Sequence, residues 1–155
     1  MSQQSYKVKS AVLRGVEALP VEVEVLISSG IPSFSIVGMP DTAIQESRER
    51  VRAAIKSAGF HVPSDKIVVN LAPSSLRKTG SGFDLPIALA LLAATGQIPV
   101  AHLENALVVG ELSLEGRVRS TAGLISYQQC ARELGATLIT GATDHGALPV
   151  SGVEC

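Results

Sequence analysis

Lys78, Ser81 and Asp84 fall within one short stretch, Leu76–Gly96 (LRKTGSGFDLPIALALLAATG). A hydroxyl close to an amine can form a Ser–Lys hydrolytic dyad, in which the amine takes the proton of the attacking hydroxyl. That chemistry needs a neutral lysine, and so a desolvated one. Here the lysine sits in a glycine-rich loop that should be open to water. The favoured alternative is that Lys78 is solvated and that Ser81 or Asp84 caps the following helix, its oxygen accepting from an orphan amide. Gly80, Ser81, Gly82 and Asp84 then form a loop of free amides at a helix start, which suits an anion.

The helix that this loop opens is apolar almost all round, from Leu85 through Ala94. Such a helix should be buried on every side. It is shorter than the roughly 20 residues a bilayer crossing needs, so no membrane partner is expected. Pro86 is tolerable only in the first turn, where its missing N–H is no loss.

Other chemistries find little support. His61, His102 and His145 stand apart from one another and from Cys130 and Cys155, with no HExxH or CxxC pattern, so no metal site is expected. The lysine precedes the glycines, and neither GxxxxGK[ST] nor GxGxxG occurs, which argues against nucleotide binding by this segment. The 155 residues carry a net charge of −1, with 46% hydrophobic and 17% charged residues. One globular domain spanning 1–155 is implied, and any contact with nucleic acid must come from a local patch. Two distant cysteines and a polar start, MSQQSYKVKS, suggest a cytoplasmic protein. The ending at Val153-Glu154-Cys155 suggests a domain cut from a longer chain.

The elements that must position these residues follow from periodicity. Val8–Leu13 and Val21–Ile27 read as strands, the second by strict alternation. Phe34, Ile36 and Val37 read as a third, giving an antiparallel meander. A single helix is expected over Ala43–Ala58, capped by Asp41 or Thr42 and ended by Gly59. Arg48, Arg52 and Lys56 run along it at i, i+4 and i+8, with Arg50 elsewhere. Such a row is usually a solvated face; its functional reading is a phosphate or acidic-partner contact. Lys66–Leu71 and Ala106–Val109 are strands, Gly110–Arg119 a hairpin, Leu124–Leu134 a helix and Ala136–Thr140 a last strand. The sum is an α+β chain, with helices covering a mixed sheet.

Three blocks then carry a resemblance: IVGMPDTAIQESRERVRAAI (36–55), VNLAPSSLRKTGSGFDLPIALALL (69–92) and GELSLEGRVRSTAG (110–123). They resemble the N-terminal domain of the magnesium chelatase-like family typified by ComM and YifB. The resemblance implies a Lon-protease-like domain, of the fold known from the second domain of ribosomal small-subunit protein five. It further implies an adjoining AAA+ module that holds ATP and Mg, absent from this segment, and a homo-hexameric motor acting on branched DNA in natural transformation. The family label does not make this chain a porphyrin chelatase.

Proteolytic Lon-like members carry their serine just after a Lys-x-Gly-Pro run and their lysine after a Gly-Leu pair. Those positions correspond here to Gly82 and Ile125, which offer neither hydroxyl nor amine. The resemblance therefore implies a non-catalytic accessory domain that assists assembly or DNA contact. Arg48, Arg52, Lys56, Arg77, Lys78, Arg117 and Arg119 are the candidate contacts. A Ser–Lys hydrolase and a purely structural oligomerisation module are the alternatives.

Overall fold

Backbone order is set by strands β1 (Gln4–Arg14), β2 (Glu17–Ser28) and β3 (Ser33–Val37), then helices α1 (Thr42–Gln45) and α2 (Ser47–Ser57). Strand β4 (Lys66–Ala72), helix α3 (Asp84–Ala94) and strands β5 (Ala106–Val108), β6 (Glu111–Leu112) and β7 (Val118–Arg119) follow. Helix α4 (Leu124–Leu134) and strand β8 (Thr137–Ile139) complete the described part. This computed structural model describes residues 4–141; His145 and Cys155 lie outside them.

The six-stranded sheet has the order β3-β4-β2-β1-β5-β8, and β6 and β7 form a separate hairpin. β1 and β2 pair antiparallel, as do β2 and β4, whereas β3–β4, β1–β5 and β5–β8 are parallel. The expected three-stranded meander is thus corrected. β4 inserts between β2 and β3, so its Ile67, Val69 and Leu71 sit in the middle of one sheet face, each at most 2% exposed. The shorter β3 is left at the edge, where an unpaired backbone is most exposed to unwanted pairing. Gln45 and Arg48 cover that edge: Gln45 Nε2 donates to Ile36 O, and Arg48 Nη1 donates to Phe34 O.

The alternation of β2 behaves as its period demands, with Val21, Val23, Val25 and Ile27 all buried inward. α3 lies against that inner face and α2 packs on α3, forming the larger core with Ile44, Val51, Ile87 and Leu91. α4 covers part of the opposite face through Tyr127, Cys130 and Ala131, against Ala11, Leu107 and Leu138. α3 is buried at eight positions, including Pro86 in its first turn. No helix among the described residues is long and apolar enough to cross a membrane.

Two local expectations are corrected. The single helix over Ala43–Ala58 is two, divided at Glu46. The division lets α1 follow its cap while α2 turns Ser47 and Arg50 towards α3. The second concerns the start of α3, where the N-cap is Phe83 and no side chain accepts there. Ser81 contributes only its backbone carbonyl, to the Asp84 amide, and the Asp84 carboxylate points elsewhere.

Asp41 is the cap of α1, Oδ1 accepting from Ile44 N at 2.9 Å, while Oδ2 accepts from Gly80 N at 3.0 Å. One carboxylate therefore ties α1 to the glycine loop. Asp41→Ala should cost about 1–2 kcal/mol, the upper part of the usual capping range. Urea denaturation checks this, and a loss of only a few tenths would mean that the second bond contributes nothing.

Candidate functional site

The glycine loop begins after β4 and returns beneath the turn that follows β3. Lys78 N donates to Met39 O, and Asp41 N donates to Lys78 O, so the two turns are stitched together. At Gly38 the backbones nearly touch: a Cβ there would lie 2.1 Å from Leu71 O, and φ is +105°. This closeness decides the fate of Lys78. Its side chain has no exposed surface, and its ammonium donates to Gly38 O at 2.8 Å and to Pro73 O. Burial pushes its pKa below the ordinary lysine value. The expected solvated lysine is corrected, and Lys78 cannot serve as a surface contact. Its partners are backbone carbonyls, not Ser81.

Ser81 and Gly82 line a cavity of about 270 Å3 together with Leu13, Phe83, Thr121 and Tyr127. A Cβ at Gly82 would meet Val109 Cγ1 at 3.1 Å and the Thr121 side chain at 3.6 Å. Gly82 thus lines the cavity, but a side chain there would press on Val109, and the position carries no functional group. Thr121 Oγ1 is buried there without a hydrogen-bond partner. Ile125 is 81% exposed and is not part of the cavity lining. Gly80 also lines the cavity, at its exposed rim, with its amide donating to Asp41 Oδ2.

Asp84 belongs to a different arrangement. Its carboxylate is fully buried, Oδ1 accepting from Ser47 Oγ and from Arg50 Nη2 at 3.1 Å. Oδ2 accepts from Arg50 Nε at 2.6 Å and from Leu112 N at 3.0 Å. Arg50 Nη2 also donates to Ala43 O at 2.9 Å. The Asp84 hydrogen bond raises the Arg50 pKa against the opposing effect of burial. Three elements (α2, α3 and the β6–β7 hairpin) thereby meet on one carboxylate, and Arg50 ties α1 to them through Ala43 O. The sequence reading missed Ser47 and Arg50, although a signal existed: a lone charge in an apolar helix needs a partner of opposite sign.

The basic candidates do not form one surface. Arg48 is tied to Gln45 O and Phe34 O, and the Arg52 guanidinium lies 5.3 Å from the centre of the Phe34 ring. Lys56 follows on the same side of α2, exposed. Arg117 and Arg119 are exposed on the hairpin, which packs on the other flank of α2. There Ser57 Oγ donates to Leu114 O at 2.9 Å, and Gly116 approaches Ala54 O. Arg77 stands apart, exposed in the glycine loop. Among the described residues no three His, Cys, Asp or Glu side chains converge as a metal site.

Residues 23–143 match the family described as subunit ChlI of Mg-chelatase. The chain is 46% identical over 133 residues to the uncharacterized protein YifB of Salmonella typhimurium, covering 86% of this chain and 26% of that protein. It is 46% identical over 125 residues to YifB of Escherichia coli, covering 81% and 25% respectively. Against the competence protein ComM of Haemophilus influenzae it is 44% identical over 124 residues, covering 77% and 24%. The chain thus spans about a quarter of the length of the curated relatives it matches.

Proposed function

This chain belongs to the magnesium chelatase-like family of YifB and ComM, and from that premise we propose that it is a non-catalytic accessory domain of a larger AAA+ ATPase. The fold we assign is Lon-protease-like, and the work we assign is assembly and nucleic-acid contact during DNA processing in the cytoplasm. The observation that carries the reading is the pair of positions at which a Lon-like peptidase would hold its dyad. Gly82 lines the cavity with no hydroxyl, and Ile125 stands in solvent. Reactive groups elsewhere in the loop do not replace them, because Lys78 is engaged by two carbonyls.

ATP and Mg belong to the adjoining module in this reading. The described residues do not fit a nucleotide: the one lysine of the glycine loop is buried away from any phosphate that the loop amides could hold. The name of the H. influenzae relative, a competence protein, suggests natural transformation as the setting. A hexameric assembly would multiply weak contacts by raising effective concentration.

The purified domain should therefore hydrolyse neither casein nor ATP. Labelling by a serine-reactive fluorophosphonate that disappears in Ser81→Ala would overturn the reading. Nucleic-acid contact is tested separately, by fluorescence anisotropy with a labelled oligonucleotide. Binding is expected at low salt and should weaken steeply as salt rises, because each phosphate contact releases counterions. No binding at low salt would remove that part.

A further inference from the structure

A second hollow, distinct from the cavity at Gly82, lies between α2 and the loop entering β4. It holds about 180 Å3 and is lined by Arg52, Lys56, Ser33, Ser64 and Asp65 over an apolar floor that includes Ile67. It is smaller than the ~300 Å3 lower limit of usual small-molecule pockets, so it suits one charged group rather than a whole cofactor.

Three observations indicate what that group is. Arg52 Nε is buried and has no hydrogen-bond partner. A buried donor left unmade is costly, and an anion seated beside the guanidinium offsets part of that cost through its charge. Secondly, the guanidinium is already held over the Phe34 ring, so little orientational freedom remains to be lost on binding. Thirdly, neither Arg52 nor Lys56 forms a salt bridge among the described residues, and the Ser33 and Ser64 hydroxyls donate no hydrogen bond there. Two cations and two hydroxyls around one small space match the oxygens of a phosphate, which the guanidinium fork can grip by two bonds.

Asp65 narrows the choice. A carboxylate on the same wall repels a second negative charge, so a singly charged diester fits better than a doubly charged monoester. We propose that this hollow seats one phosphodiester of a nucleic-acid backbone. The proposal rests on the nucleic-acid reading above and assigns the contact to one place, setting Arg77, Arg117 and Arg119 aside.

Two measurements test it on the whole domain. In anisotropy with a single-stranded oligonucleotide at low salt, Arg52→Gln should weaken binding by roughly tenfold, as for loss of a charged hydrogen bond. Lys56→Gln should weaken it several-fold, and each should lower the salt slope by about one. Asp65→Asn should tighten binding. In amide NMR, dimethyl phosphate should shift Ser33, Ser64 and Asp65 in the wild type and not in Arg52→Gln. Inorganic phosphate at alkaline pH should shift them less.

If the oligonucleotide binds but only Arg117→Gln and Arg119→Gln weaken it, the hollow is overturned and nucleic-acid contact survives. Should dimethyl phosphate bind there while the oligonucleotide does not bind at all, the nucleic-acid reading fails and takes the backbone assignment with it. If neither binds, both fall. Lys56 is exposed, so its variant remains informative even where Arg52→Gln unfolds.

Discussion

Replacing Asp84 by alanine is expected to cost about 3–5 kcal/mol of folding free energy, the range for breaking a buried ion pair from one side. The substitution leaves the Arg50 guanidinium, the Ser47 hydroxyl and the Leu112 amide without their shared acceptor. Removing the charge alone does not relieve this, because the orphaned groups stay under the same cover. Arg50→Ala should also be costly, since it leaves the fully buried Asp84 carboxylate with the Ser47 and Leu112 donors but no countercharge. The double variant Arg50→Met/Asp84→Leu should recover part of the loss, because neither charge then remains uncompensated. It should not recover all of it, since Ser47 and Leu112 stay unpaired. Urea unfolding of the wild type, Arg50→Met, Asp84→Leu and the double variant closes the cycle and gives the coupling directly. An Asp84→Ala domain within 1 kcal/mol of wild type would mean that water reaches the site and that the network is not the joint of these elements.

The same residues show how far the sequence could be read. Every strand that positions the two cavities was visible in it, because alternation along β2 and β4 reports burial on one face directly. α3 was visible for a different reason: a run with no polar side can only be interior. α4 needed just its bracketing glycines: Gly135 adopts the positive φ that a helix C-terminus favours, while Gly123 is glycine because a Cβ there would lie 2.4 Å from Leu13 Cδ1. What stayed hidden depended on partners distant in the chain. β3 could have paired with β2 by proximity, but the inserted β4 is chosen by the whole sheet. Nothing local marks Glu46 as a helix boundary; the boundary serves Ser47, whose acceptor lies 37 positions away. The candidate contacts were legible as a row on α2, yet their division among separate patches was not. Arg48 is turned to the edge of β3, Arg52 to a ring, and the hairpin arginines to the far flank of the same helix. Family membership was legible in the three matching blocks, which the relatives bear out over most of the chain.

Lys78→Met is the second large effect, and its cause is the reverse of the one a glycine-rich loop suggests. Glycines invite water, but Gly38 and the turn at Pro73 close over the side chain, and their carbonyls are its only partners among the described residues. A methionine of similar length removes both hydrogen bonds, and at about 1–3 kcal/mol for each of the two acceptors left unpaired the loss should be at most about 2–6 kcal/mol near neutral pH. That loss is reduced by whatever the charged ammonium costs in being buried. The pH dependence separates the two contributions. Burial lowers the folded-state pKa of Lys78 below the ordinary value of 10.5, so between the two values the unfolded chain binds more protons than the folded one. Wild-type stability should therefore gain on the variant as pH rises through that window, and the gain should be complete above 10.5. Tyr6, Tyr127 and Cys130 have pKa values raised by burial, which destabilises the fold at alkaline pH. Both proteins share that decline, so it cancels in their difference. Unfolding free energies of wild type and Lys78→Met from pH 7 to 11 supply the comparison. A constant difference would mean that Lys78 titrates alike in the folded and unfolded chains. A difference near zero throughout would mean that the two carbonyls find water once the ammonium is gone, and that the loop is the open, solvated structure its composition suggests.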